Sequence, residues 1–332
     1  MNFIDKIKEK AKSDLKKIVL PEAEDIRTLK AAKIAHDEQY AIPILIGNTN
    51  NIKEIAKNNN INIDNIKIID PISFKDTEKL IEKFYELRKN KGITLEEAKK
   101  TIQKDYVYFA NMLVKLDYAD GLVSGAIHSS ADTLRPALQI LKTAKDTEIV
   151  SSFFLMDVPN CNYGASGVFI YSDCGMIQNP TSEELVEIAI SSAKTFKQLI
   201  GTEAKVAFLS HSTFNTSHCD DVYKIQKAVK LAKEKYPELN ADGEMQFDAA
   251  IIPEVAKMKA PNSKIAGYAN VLIFPDLDAG NIAYKITERL AHAKAYGPIT
   301  QGILKPVNDL SRGCNEDDIA GVIAITAVQC QK

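Results

Sequence analysis

The sequence predicts an α/β protein of two domains, with largely parallel sheets covered by helices in a three-layer αβα arrangement. Three observations carry that expectation. Short β-branched runs alternate with longer segments of helical period through almost the whole chain, as when parallel strands are joined by crossover helices. The chain has 332 residues, 45% of them hydrophobic, which suffices for two cores at roughly 100–200 residues per domain. The alternation pauses once, around 143–165, where "TAKDTEIVSSFFLMDVPNCNYGASG" joins a charged connector to a dense apolar strand and a turn-rich segment.

The N-terminal "MNFIDKIKEKAKSD" alternates charge with single apolar residues and predicts a short amphipathic helix, not a signal peptide. Strand-like runs follow in "KKIVL", "IPILIG", "IKIID" and "DGLVSG", bounded by Pro, Gly, Asn or Asp. Between them, "EDIRTLKAAKIAHDE", "DTEKLIEKFYELRKNKG" and "TLEEAKKTIQKDYVYFANMLVKLD" place apolar residues three and four apart. Beyond the pause come strand "GVFIYSDCG" and a helix opened by a capping box of Thr181 with Glu184. Strand "KVAFLS", helix "DVYKIQKAVKLAKEKY", strand "NVLIFPDLD" and helix "GNIAYKITERLAHAKAYG" continue the rhythm. Pro298 and the Gly-rich "GPITQGILKPVND" then break it, letting the chain cross back before its last helix. The expected domains are 1–147 with 299–332, and 148–298.

Lys and Arg number 42 against 44 Asp and Glu, so a net charge of −2 offers no global field for nucleic acid or an anionic membrane. Any anionic ligand must be held by local cations. Five cysteines without a CxxC pair indicate neither a disulfide framework nor a zinc knuckle, and point to a reducing, cytoplasmic compartment. No stretch approaches the ~18 apolar residues of a membrane span. Walker A and GxGxxG patterns are both absent, which argues against an ordinary nucleotide triphosphatase or a Rossmann dehydrogenase.

The densest chemistry is "NDLSRGCNEDD", residues 308–318, ahead of the apolar run "IAGVIAITAV". Asn315 is a good N-cap, and Glu316, Asp317 and Asp318 fill a first turn where the helix dipole favours negative charge. Capping alone accounts for these residues. It does not account for Ser311, Arg312 and Gly313, which would give a helix N-terminus the hydroxyl, guanidinium and close backbone approach of an anion site. Both readings stand at this point. A second loop, "DGLVSGAIHSSADTLRPALQ", follows a strand ending at Val123, where a parallel sheet presents its ligand crevice. Ser129 and Ser130 precede a helix carrying Arg135, and Pro136 fits only near that helix's first turn. A capped helix with one surface arginine is the plainer alternative. Arg88 closes a helix, as a cation favoured by the dipole does. In "SHSTFNTSHC", His211, His218 and Cys219 have no established metal-ligand spacing, and a polar loop is the simpler reading.

Together these segments resemble phosphate acetyltransferase (phosphotransacetylase), of the phosphate acetyl/butyryltransferase family. The resemblance runs from "VLPEAED" through "DGLVSGAIHSSADTLRPALQ", "FIYSDCG", "NPTSEELVEIA", "DGEMQFDAA" and "ANVLIFPDLDAGNIAYK" to "GPITQGILKPVNDLSRGC". It implies a fold like that of isocitrate and isopropylmalate dehydrogenases, an active site in the cleft between domains, and a homodimer formed by the second domain. The implied reaction is reversible acetyl transfer between acetyl phosphate and CoA by direct thiol attack in a ternary complex, releasing or consuming phosphate. The implied alternative is a butyryl or broader acyl preference. By motif, Asp318 is the base for the thiol proton, Ser311 steadies the carbonyl or thiol, and Arg312 holds acetyl phosphate. Arg88 and Arg135 match the arginines that hold CoA, and Ser129 and Ser130 fall in the substrate loop. CoA enters as a substrate, with no tightly bound cofactor or metal implied. Where relatives continue "S-x-S-T" with Lys-Gly-Ser, this chain has Phe214, Asn215 and Thr216, so ligand contacts from that loop do not carry over.

Overall fold

The computed structural model describes residues 3–145 and 147–331. The chain forms two compact units, one from Met1–Lys145 with Ile303–Lys332 and the other from Asp146–Gly302.

The first unit contains strands β1 (Lys17–Leu20), β2 (Ile42–Ile46), β3 (Lys67–Ile69) and β4 (Gly121–Val123), with β11 (Val307–Asn308) contributed by the returning chain. Its helices are α1 (Phe3–Lys12), α2 (Ile26–Asp37), α3 (Thr49–Asn58), α4 (Thr77–Arg88), α5 (Leu95–Lys104), α6 (Tyr106–Lys115) and α7 (Ser130–Ile140), with α13 (Glu316–Gln329) at the end. The strands pair in the order β11-β4-β1-β2-β3, all parallel. From β1 the chain builds β2 and β3 on one side, then β4 and β11 on the other. That reversal opens a crevice at the carboxyl ends of β1 and β4, the usual ligand position in such sheets. Val19, Ile44, Leu122, Phe84, Phe109 and Leu113 share one buried core. The strands read as unbroken apolar runs because helices cover both faces. Helix α13 is buried from Ile319 to Val328, which explains a last helix without a polar stripe.

Two expectations about helices are corrected here. The long segment 94–117 is two helices, because Asp105 ends α5 and its carboxylate caps α6 through the amides of Val107 and Tyr108. Pro136 lies inside α7, not in its first turn. Its missing N–H and its ring disturb only the bond to the carbonyl of Asp132, an exposed residue that water can reach, while Pro136 itself is buried.

The second unit holds β5 (Ser151–Asp157), β6 (Val168–Ser172), β7 (Val206–Leu209), β8 (Ala241–Met245), β9 (Val271–Ile273) and β10 (Lys294–Gln301). Its helices are α8 (Ser182–Ile200), α9 (Asp220–Lys235), α10 (Phe247–Ile251), α11 (Pro253–Lys259) and α12 (Leu277–Leu290). The sheet order is β10-β5-β6-β9-β7-β8. Here β5 runs antiparallel to both β6 and β10, so this sheet is mixed. The helix expected to run through "HAKAYG" ends at Leu290, and residues 294–301 are an edge strand instead of a break. Pro298 is tolerated there because an edge strand has one side free of ladder bonds, and the register shifts between Tyr296 and Ile299. The capping box at Thr181 and Glu184 forms as the sequence suggests.

Candidate active site

Three loops meet at the carboxyl ends of β1, β4 and β11 in the first unit, and buried charged side chains fasten them to one another. Glu22, just past β1, is 3% exposed. Its carboxylate accepts the amides of Gly125, Ala126, Ile127 and His128 at 2.8–3.0 Å, and faces His128 Nδ1 at 2.7 Å. Burial alone would raise the Glu22 carboxyl, yet the bonds from His128 and the loop amides outweigh it and hold the group below the usual carboxylate range. The same contact raises the His128 imidazole above its ordinary value. A turn of four amides converging on one carboxylate is therefore a fixed platform in front of α7.

Arg27, in the first turn of α2, performs the complementary task with carbonyls. Its guanidinium donates to the carbonyls of Arg312 at 3.0 Å, Cys314 at 2.9 Å and Ala126 at 2.9 Å, and pairs with Asp25 at 2.7 Å. One planar side chain thus ties the loop after β11 to the loop after β4. Across from Glu22, Asp309 follows β11 and is only 1% exposed. Gly125 is pressed against it with φ +113°, and a Cβ there would lie 2.2 Å from Asp309 Oδ1 and 2.5 Å from the Leu310 amide. Only glycine fits that position.

On this frame, Ser311 and Arg312 are exposed, and the Arg312 guanidinium has no partner among the described residues. The Ser311 hydroxyl receives only a long 3.4 Å bond from the Gly313 amide. Asp318 and Asn315 form a reciprocal capping box at the start of α13: the Asp318 amide reaches Asn315 Oδ1 at 2.9 Å, and Asp318 Oδ2 accepts the Asn315 amide at 3.0 Å. Only one carboxylate oxygen is used in this way. Capping and a second duty for Asp318 are therefore compatible. Ser129 caps α7 by accepting the Asp132 amide at 3.2 Å, and Ser130 is its exposed first residue. The N-termini of α7 and α13, each with free amides, carry these serines and Asp318 beside loops that share Arg27.

Arg135 lies five residues along α7 from Ser130, roughly 7–8 Å along the axis. It is exposed, with Asp132 at 4.0 Å. Arg88 lines a cavity of about 650 Å³ together with Lys91, Lys100, Lys104, Tyr108 and Gln139. Tyr108 donates to Gln139 at 3.0 Å, and both Arg88 and Arg135 lie close enough to act on its phenol. Arg88 thus lies in a hollow whose four cations outnumber the carboxylates of Glu97 and Asp105, and Arg135 acts on the Tyr108 phenol in its wall. Burial pushes the Cys314 thiol up to about 11, so it offers little thiolate despite its place in the loop. Glu22, Arg27, His128 and Asp309 escaped the sequence reading. A carboxylate within two residues of a strand's end is the signal that marks Glu22 and Asp309.

In the second unit, the loop at 210–217 is held by buried Glu244, which accepts from the Ser212 hydroxyl at 3.0 Å and the Asn215 amide at 2.7 Å. His211 meets Ser217 at 3.2 Å. Among the described residues, no group of three or more His, Cys, Asp or Glu side chains is arranged to hold a metal ion.

Comparison with known proteins gives a consistent outcome. Residues 2–327 match the family model of phosphate acetyl/butaryl transferase. The chain is 56% identical to a phosphate acetyltransferase of Thermoanaerobacterium thermosaccharolyticum, over 100% of both chains. It is also similar to the solved structure of the EutD phosphotransacetylase from Staphylococcus aureus, with a TM-score of 0.90, 44% identity, and 99% of this chain and 98% of that one covered. A 4-hydroxythreonine-4-phosphate dehydrogenase from Klebsiella pneumoniae shares the fold alone, at a TM-score of 0.56 and 11% identity, over 96% of this chain and all of that one.

Proposed function

The chain belongs to the phosphate acetyl/butaryl transferase family, and from that premise we propose that it moves an acetyl group reversibly between acetyl phosphate and CoA. The observation that carries this reading is the fastening of the Ser311–Arg312 loop to the Ser129–Ser130 loop by Arg27, beside two helix N-termini. Such a place suits a dianionic acyl phosphate. Arg312, with an unpaired guanidinium, grips the phosphoryl group bidentately, and the first α7 amides with the Ser130 hydroxyl hold its remaining oxygens, while Ser129, whose hydroxyl donates to the Asp132 carboxylate at 2.6 Å, fixes the turn that presents them. Arg88 and Arg135 hold CoA at the cationic hollow.

A thiol of pKa ~8.5 is only a few per cent ionised at neutral pH, so attack needs a base. Asp318 takes the proton through the carboxylate oxygen that the capping box leaves unused. The sulfur then attacks the acetyl carbonyl, Ser311 donates to the developing oxyanion, and phosphate departs into the charge of Arg312. No covalent enzyme intermediate is required, and the buried cysteines are structural. The reaction places the chain in acetate metabolism, and its five unpaired cysteines suit the cytoplasm. We place a homodimer contact on the second unit, where α12 exposes Ile282, Ile286 and Leu290 in one stripe, and sedimentation of the native chain tests it.

The deciding experiment follows acetyl-CoA formation from acetyl phosphate and CoA, with butyryl phosphate and Asp318→Asn in parallel. Rapid acetyl transfer, poor use of butyryl phosphate, and a loss of about 10²–10⁴ in kcat in the variant are expected. Unchanged turnover in Asp318→Asn would return that residue to capping alone.

A further inference from the structure

The Asp309 carboxyl is the least explained group in the first unit. Glu22, whose charge acts on it, is itself satisfied by four amides and an imidazole. Asp309 is more deeply buried, yet neither of its oxygens has a partner of full hydrogen-bond geometry among the described residues. The hydroxyls of Ser130 and Thr133 and the Leu310 amide act on it from nearby, and Glu22 repels its charge. The hydroxyls of Ser124 and Thr133 are likewise buried without partners. An unsatisfied cluster of this kind is costly, and a protein keeps few of them without a use. The Ser130 hydroxyl, which acts on the sealed carboxyl from nearby, belongs to the exposed first residue of α7.

The proposed reaction leaves a proton unassigned. Attack by the thiol gives its hydrogen to Asp318, forms the C–S bond and breaks the bond from the acetyl carbon to the phosphoryl oxygen. From the acetyl phosphate dianion, that oxygen would leave as part of a trianion, whose conjugate acid is far too weak for neutral pH. It must gain a proton as it departs.

We propose that Asp309, acting through the Ser130 hydroxyl, supplies that proton and takes it back in the reverse direction. This inference rests on the acetyl transfer proposed above. The Ser130 O–H hydrogen passes to the departing oxygen as the Asp309 O–H hydrogen passes to Ser130 Oγ. The products are acetyl-CoA and hydrogen phosphate dianion, with Asp309 ionised and Asp318 protonated. Exchange with water then moves one proton from Asp318 to Asp309 and closes the cycle. Asp309 touches no reacting atom and is a positioning, proton-holding residue for Ser130. Burial, the largest influence on it, pushes its carboxyl up to about 6, which keeps an acid form accessible. Two carboxyls whose surroundings differ so strongly suit opposite acid and base roles.

The test uses the native full chain and Asp309→Asn with two acyl donors, acetyl phosphate and methyl acetyl phosphate. The second releases methyl phosphate, a monoester with a second pKa ≈ 6 that leaves as a dianion without needing a proton. With acetyl phosphate, Asp309→Asn should lose about 10²-fold or more in kcat while the KM for CoA stays within about threefold. With methyl acetyl phosphate, native and variant should agree within about threefold. Equal losses with both donors, or no loss with acetyl phosphate, would overturn the proposal. Ser130→Ala should reproduce the same donor discrimination if Asp309→Asn fails to fold. Should native chain refuse the methyl ester, the pH profile decides: kcat with acetyl phosphate should fall on the alkaline side in native chain and lose that limb in Asp309→Asn, and identical profiles would refute the role. A native chain that makes no acetyl-CoA at all would instead fail the acetyl-transfer reading itself.

Discussion

Asp309→Asn should gain stability relative to the native chain as pH rises, at the same time as it makes a poorer catalyst. The folded carboxyl titrates at about 6 against an ordinary 3.8. Its raised value means the folded chain holds a proton that the unfolded chain has already lost, so stability falls as pH rises between those values. Each unit of difference is worth about 1.4 kcal/mol. The penalty is negligible below the ordinary value, about 1.5 kcal/mol at pH 5 and about 3 kcal/mol at pH 8. Asparagine occupies nearly the same volume and carries no charge, so it escapes the penalty at every pH. Its imperfect hydrogen bonding adds a cost that does not vary with pH. The signature is therefore the change in the gap between variant and native chain, a gain of about 1.5 kcal/mol for the variant from pH 5 to pH 8. Urea unfolding followed by a probe in the first unit, at several pH values, measures it. A gap that stays constant across that range would mean that Asp309 titrates as an ordinary solvated carboxylate, and the reasoning from its burial would fail.

Arg27→Lys keeps the charge but cannot span the carbonyls of Arg312, Cys314 and Ala126. It should cost about 10² in kcat for acetyl transfer with a modest loss of stability, read by parallel kinetics and calorimetry. Glu22→Gln turns an acceptor-only group into one that presents two donors to a ring of amides, and should destabilise the first unit by about 3–5 kcal/mol in denaturant unfolding at pH 7. The pH signs differ for the two partners. The depressed Glu22 contributes stability above its unfolded value that is lost as pH falls through its folded one. The raised His128 contributes fully below its unfolded value and loses that contribution as pH rises through its folded one. Acid unfolding of the native chain should therefore be steeper below pH 5 than that of the Gln variant, followed by circular dichroism.

What the sequence disclosed was local, and what it withheld was long-range. The capping boxes of Thr181 with Glu184 and Asn315 with Asp318 are three-residue patterns whose geometry is set within one helical turn. Most strands were legible because covered parallel strands are continuous apolar runs. The strand at 294–301 was not, since Gly297 and Pro298 are tolerated there only by an edge position that no local pattern reveals. The same holds for the site. Ser311, Arg312 and Asp318 stand together in eight residues, whereas Arg27 reaches Arg312 across 285 residues and Glu22 reaches Gly125 across 103. Asp309 and Asp318 show the limit most sharply. Asn315 three residues ahead marks Asp318 in the sequence as a first-turn residue, whereas nothing local marks Asp309 as buried. The fold gives one a helix N-terminus at the surface and the other a sealed pocket beside a glycine. Burial raises one carboxyl and leaves the other engaged by an amide. Their environments, not their residue type, suit one to hold a proton and the other to accept one.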